Sequence, residues 1–220
     1  MSIPVSGRLA NVATDIDPGG PRLTERGRAT RARIVQAAAD QMFRQGVAGT
    51  SIPDVLAAAE VSASQLYHYF ADKQDLVRAV IAHQVELVLD VQRQFPLDSL
   101  ASLRIWRDAV IALQDRRECQ GGCVLGSLAT ELADGDEAAR AALADGYAQW
   151  EQRIRDGLVA MRERGDLRPP ADVDRLAVVL LAALQGGLLL TQVSRETTSL
   201  RIALDAAIAQ VEAETVAQSG

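Results

Sequence analysis

The feature that most constrains this chain is a pair of helix starts packed into the two dozen residues from Thr50 to Lys73. Thr50 or Ser51 can cap a first helix, and Pro53 fits in its first turn because the missing N–H has no partner there in any case. Ile52, Val55, Leu56 and Ala59 recur at helical spacing and form an inner face. Glu60 and Val61 make a corner. Ser62, followed three residues later by Gln65, is a capping box: each side chain bonds the other residue's backbone N–H, which starts a second helix. Leu66 and Phe70 lie one turn apart and would bury against the helix behind. That leaves Ala63, Ser64, Gln65, Tyr67, His68 and Tyr69 mainly outward, an unusual load of aromatic and hydrogen-bonding groups for so short a helix.

Such a helix suits the DNA major groove, where residues at its start meet base edges and hydroxyls meet phosphates. Spacing alone leaves open a helical hairpin that never touches nucleic acid, since the same geometry occurs in other settings. The residues themselves are more specific. From Arg31 to Lys73, the set Ile34, Ala37, Ala38, Phe43, Gly46, Thr50, Val61-Ser62, Leu66-Tyr67-His68-Tyr69-Phe70 and Lys73 closely resembles the N-terminal domain of TetR-family transcriptional regulators. The resemblance covers about the first third of the chain. It implies a homodimer on double-stranded operator DNA, with Ser62 at the helix start and Ala63, Ser64 and Gln65 at the bases. Thr50, Ser51, Tyr67, His68, Tyr69 and Lys73 would hold phosphates. Gln65 is the best candidate to read adenine, because its amide matches that base's donor and acceptor. Ser64 stands where glycine is commoner in the family, which makes its side chain an added candidate for reading bases.

At 220 residues and 48% hydrophobic content, the chain can bury a substantial core. Aromatics are only 4%, Ala and Leu dominate, and no stretch alternates like a strand, so an all-α fold of about nine helices is expected. The expected organisation is an arm over residues 1–27, a three-helix head over 28–73, and a helical effector-binding and dimerisation domain over 74–220. The net charge of -6 argues against a global attraction to DNA. Between Pro21 and His83, however, Arg22, Arg26, Arg28, Arg31, Arg33, Arg44, Lys73 and Arg78 outnumber the acids. Affinity would therefore come from placed phosphate contacts.

Next to the first helix, Arg22, Arg26 and Arg28 could reach DNA or merely solubilise a tail. The first helix is expected from about Arg28 to Gln45, burying Ile34, Ala37, Ala38, Met42 and Phe43, with Gly46 ending it in the left-handed conformation. Asp72 and Asp75 start a fourth helix that runs through Leu76, Val80, His83, Leu87 and Val91 to Phe95-Pro96, a lever of about 30 Å. Lys73 is badly placed for its helix dipole. A DNA phosphate, the role the resemblance implies for it, would compensate.

Farther on, Ser99 caps a helix bearing Trp106 and Val110, and Gly121-Gly122 interrupts before a short helix from Leu125 to Ala133. Gly-Cys-x-x-Gly-x-Leu-Ala-x-Glu-Leu, from Gly122 to Leu132, looks like a pattern of one effector-domain subgroup of the same family, whose members answer to flavonoid-like or drug-like aromatic compounds. A long helix follows from Asp136 to about Arg164. Pro169-Pro170 separates it from an apolar helix between Asp172 and Ser194, expected to be buried all round, and a last helix covers about Thr198 to Val216. Ala183, Gly186 and Gly187 permit close approach, and the two terminal helices are expected to pair with their copies in a four-helix bundle.

No catalytic constellation stands out, so an enzyme is not expected, nor a cofactor. With only His68 and His83 besides Cys119 and Cys123, no metal site is expected. Cys123 is read as a small pocket or core residue. The expected function is a repressor that leaves a pseudo-palindromic operator when a small effector binds, with a ligand-responsive activator or a thiol-based redox regulator as alternatives. Glu131, Asp134 and Asp136 are expected to stay solvated. Trp106, Val110, Cys123, Leu128, Tyr147, Trp150, Leu184, Gln185 and Leu188 are expected to line a pocket for a small apolar or aromatic effector, although ordinary core packing would leave the same pattern. Leu176 to Leu190 is too short for a membrane span, and no signal pattern opens the chain, so a cytoplasmic protein is expected.

Overall fold

The computed structural model describes residues 23–216, and within them the chain is all-α. The expectations placed on the arm before Leu23, Arg22 included, lie outside the described residues. The first helix, α1 (Glu25–Gly49), starts earlier than the sequence suggests, because Thr24 accepts from the Gly27 N–H at 3.1 Å and caps it. Arg26 therefore belongs to a helix rather than to an arm, and Arg28 lies in that helix as expected. Gly46, at φ 78°, does not end α1 but kinks it, and one more turn follows.

Three short steps complete the head: α2 (Ile52–Ala59), α3 (Ala63–Tyr69) and the start of α4 (Lys73–Arg93). Ile34, Val55, Ala59, Leu66, Phe70, Leu76 and Val80 close its core. Burying each of the larger ones contributes about 1.5–3 kcal/mol. Phe43, expected inside, is 44% exposed. Its ring crosses instead to the loop beyond α5 (Leu100–Arg116), where a Cβ at Gly121 would lie 2.2 Å from it. Val47, after the kink, takes the inward place.

The body is built from α5, α6 (Val124–Leu132), α7 (Glu137–Glu163), α8 (Val173–Ser194) and α9 (Thr198–Ala213). Helix α4 runs from the head into this bundle and packs along α7, while α8 lies against both α7 and α9. Small residues set the approach distances. A Cβ at Gly187 would sit 2.9 Å from the Leu200 Cα, so this glycine lets α9 close on α8. Gly186, one residue earlier, has nothing near it.

Helix α8 is not buried all round. It is long and apolar enough to cross a membrane by length and composition, with a mean hydropathy of 2.0, but one side packs on α7 and α9. Its other side leaves Val178, Leu189, Leu190 and Val193 in solvent, with Val193 76% exposed. Helix α9 likewise exposes an apolar side chain, Ile202.

Candidate functional site

Local hydrogen bonds build the exposed end of the head. At the start of α3, Ser62 Oγ accepts from the Gln65 N–H at 3.2 Å, and Gln65 Oε1 accepts from the Ser62 N–H at 2.9 Å. A second capping box opens α2, where Ser51 Oγ accepts from the Asp54 N–H and Asp54 Oδ2 from the Ser51 N–H. The Ser51 hydroxyl holds the Asp54 carboxyl below its ordinary pKa. At the far end of α2, Arg33 Nε donates to the Ala59 carbonyl at 2.9 Å. Arg31 stacks its guanidinium over Phe70, 5.2 Å from the ring centroid. Two of the basic residues counted from the sequence thus hold the motif together.

Leu66 and Phe70 face the core, as their spacing requires, and Ala63, Ser64, Gln65, Tyr67 and His68 form a solvent-facing strip. Tyr67 is 54% exposed, although its ring could have been buried. Tyr69 departs from the expectation of an outward residue: it is half-buried, and its hydroxyl would lie 3.5 Å from a Cβ at Gly27. His68 leans edge-on against it, with ring centroids 4.8 Å apart.

Thr50 is corrected more sharply. It is 1% exposed, and its hydroxyl donates to the Gly46 carbonyl at 2.8 Å, so it fastens the kink and cannot reach a phosphate. Lys73 also has an internal partner, since its Nζ donates to the Val47 carbonyl at 2.7 Å. Two of its three donors stay free for another acceptor.

Glu131 and Asp134 stay exposed, as expected of this acidic cluster, but Glu131 also has a partner. From α6 it accepts from the N–H of Val47 at 2.8 Å and of Ala48 at 3.4 Å. Sequence reasoning missed this contact, and no local signal could have found it, because its two ends are more than 80 positions apart.

The residues expected to line an effector pocket divide into groups. Trp106 is fully buried and donates from Nε1 to Gln92 Oε1 at 2.9 Å, which makes it a core residue between α4 and α5, with Val110 half-buried one turn on. Leu128, Leu184 and Leu188 are buried core residues as well. Four others converge at the junction of α6, α7 and α8. A Cβ at Gly126 would meet Cys123, Gln185 Oε1 and the Tyr147 hydroxyl, all within 3.4–3.7 Å. Trp150 stacks on Tyr147 with centroids 6.4 Å apart. Burial, reinforced by Cys123, pushes the Tyr147 hydroxyl pKa upward, so it stays a neutral donor. The Trp150 Nε1 and Gln185 Nε2 atoms are buried without a partner. Cys119 and Cys123 are both free thiols, the first buried.

Two cavities lie elsewhere. One of about 20 Å³ sits between α1, α4 and α6, lined in part by Met42, Gln84, Ser127 and Glu131. The other, a shallow groove of about 400 Å³, runs past Gln36 and His83 on the head.

Known proteins share this arrangement along the chain. Residues 34–80 match the family described as bacterial regulatory proteins, tetR family, and residues 99–207 match the tetracyclin repressor-like C-terminal domain. An HTH-type transcriptional regulator from the lacX 3' region of Lactococcus lactis is 27% identical, covering 81% of this chain and 91% of that protein. The HTH-type transcriptional repressor DhaR of a Mycobacterium species is 25% identical over 77% of this chain and 86% of its own length. In three dimensions, a TetR transcriptional regulator from Chloroflexus aurantiacus superposes with a TM-score of 0.74 at 25% identity, over 87% of this chain and 98% of that one. A TetR-family regulator from Cytophaga hutchinsonii gives a TM-score of 0.77 at 17% identity, over 90% and 100% of the two chains.

Proposed function

This chain belongs to the TetR family of helix-turn-helix transcriptional regulators, and from that premise we propose that it is a cytoplasmic homodimeric repressor, released from its operator by a small apolar or aromatic effector. The observation that carries the reading is the strip on α3: polar and aromatic side chains on a capped helix, facing water, with no role in the core. Two such helices related by a dyad would enter successive major grooves, roughly 34–36 Å apart or somewhat more. Ala63, Ser64 and Gln65 meet base edges. Ser51, Ser62, Tyr67, His68 and the free donors of Lys73 meet phosphates, and Tyr69 contributes from the edge.

Gln65 has two duties in this reading. Its Oε1 belongs to the capping box in the free protein, so reading adenine with both amide atoms means releasing the Ser62 N–H or sharing it. The dimer would form through the exposed apolar sides of α8 and α9, which cover each other as a four-helix bundle. Trp150 and Gln185 supply unpaired polar atoms beside a Tyr147 hydroxyl that donates to Gln185 Oε1 at 3.4 Å, and the junction is otherwise apolar, a suitable place for an effector that carries one hydrogen-bonding group.

Footprinting the protein on DNA flanking its own gene, then titrating the protected fragment and its point variants, tests the reading. Tyr67→Phe should weaken binding on every variant alike. Gln65→Glu keeps an acceptor for the capping box but removes the amide, so the helix should stay folded while operator binding is lost. Equal affinity of the wild type for operator and unrelated DNA would refute the proposal.

A further inference from the structure

Gly46 breaks the hydrogen-bond ladder of α1 with its φ of 78°, and the N–H groups of Val47 and Ala48 beyond the break lie at the start of a new turn. The Glu131 carboxylate answers both, at 2.8 and 3.4 Å. The fit is close: a Cβ at Gly46 would stand 3.0 Å from each Glu131 carboxylate oxygen, so the glycine serves the approach as well as the backbone angle. On the other side of the same peptide stretch, Lys73 at the start of α4 donates to the Val47 carbonyl, and Thr50 donates to that of Gly46. Five residues after Val47, α2 begins. One residue is thus gripped at its N–H from the body and at its carbonyl from α4, immediately before the helix-turn-helix.

We propose that Glu131 is a positioning residue for DNA binding: it ties α6 of the body to the Gly46 kink and so holds the head at the angle that matches the operator. The idea rests on the operator-binding function above and adds to it a connection from body to head that does not pass along α4. Three observations support a holding role rather than a structural necessity. Glu131 is itself solvent-exposed, so no core depends on its side chain. The seam around it, between α1, α4 and α6, contains the cavity of about 20 Å³, so the contact is not locked in by full packing. And the bond is charge-assisted, roughly twice as strong as a neutral one, yet open to water and therefore reversible.

The sign of the expected effect separates this idea from simple electrostatics. Glu131→Ala removes a negative charge near the DNA-binding head, which by charge alone should tighten binding to any duplex. A lost positioning contact should instead weaken the operator complex while sparing unrelated DNA. The test uses the full-length protein, the operator fragment recovered by footprinting, and an unrelated duplex of equal length. Glu131→Ala should bind the operator at least about fivefold more weakly, the lower end for coupled sites. Glu131→Gln, which keeps an acceptor oxygen, should recover part of the loss. Hydrogen exchange at Val47 and Ala48 should speed up in Glu131→Ala, with exchange in α7 to α9 unchanged. Wild-type operator affinity in Glu131→Ala, an equal loss on both duplexes, or unaltered exchange at Val47 and Ala48 would each overturn the proposal. If the wild type itself selects no operator, the repressor reading fails instead, and the exchange measurement still decides whether Glu131 holds the kink.

Discussion

The head and the body of this protein use opposite kinds of surface. In the head, the exposed strip of α3 is largely polar or aromatic, and two basic residues of α1, Arg31 and Arg33, are engaged in holding short helices together. In the body, the exposed face of α8 and α9 is apolar and buried polar atoms on α7 and α8 lack partners. Small helices with little core depend on caps and single hydrogen bonds to keep their shape. Long helices depend on area, and leave unsatisfied whatever their own chain cannot cover. The head therefore presents a polar surface held by local bonds, and the body an apolar one that its own chain leaves uncovered, which is the basis for the partners proposed for each.

Placing charges on the apolar side tests that contrast most severely. Leu189→Glu combined with Val193→Glu would bury unpaired carboxylates in a dimer, at a cost on the order of 3–5 kcal/mol. Sedimentation should show a monomer, and operator affinity should fall by more than about a hundredfold, since each 1.4 kcal/mol is tenfold. A dimer that persists at micromolar concentration would mean that α8 and α9 are not the interface.

Within each region, removing one aromatic ring should have opposite consequences. Trp106→Ala empties a fully buried site and strands Gln92, so thermal or urea unfolding should register a loss of about 3–5 kcal/mol. Tyr67→Ala should change stability by less than about 0.5 kcal/mol, as exposed sites do, and act on operator binding alone. Similar stability losses for the two would erase the distinction between a core ring and a displayed one.

Smaller effects address the caps. Ser62→Ala should cost about 1 kcal/mol, seen as faster amide exchange in α3 with α7 to α9 unaffected. The smallest concerns His83, which joins α4 to α1 by a 3.0 Å hydrogen bond with Gln36. Burial holds its pKa below the ordinary value, against a weaker opposing pull from Asp40. The folded protein thus takes up this proton less readily than the unfolded chain, so its contribution is intact above the unfolded value of about 6.5 and is lost as pH falls below that value and through the lower folded one. Urea midpoints between pH 7 and pH 5 should fall less steeply in His83→Gln than in the wild type, and parallel slopes would count against a role for the ring.

The sequence made the head legible because its signals act over three or four residues. The Ser62–Gln65 capping box, the Asp72 cap and the inward spacing of Leu66 and Phe70 all appear as read. The errors fall where a residue answers to something distant. Phe43 kept the helical spacing of a core residue but turned to Gly121. Thr50 is the exception: it was given a phosphate, and its hydroxyl instead donates to the Gly46 carbonyl only four residues back, at a kink that the periodicity did not show. Glu131 looked like one acid among several until the kink of α1 came within reach. In the body, helical periodicity showed that α8 is apolar on most sides, yet not which side α7 and α9 would occupy.

By itself, then, the sequence determined the helices, their caps and the outward character of α3, because hydrogen bonds and periodicity within one turn are encoded by near neighbours. Only the tertiary structure decided which apolar face of α8 stays open, which aromatic rings become core, and that Glu131 grips the end of α1. Those outcomes depend on which distant segments meet, and the closing of such long loops is governed by the packing of the whole chain rather than by any local pattern.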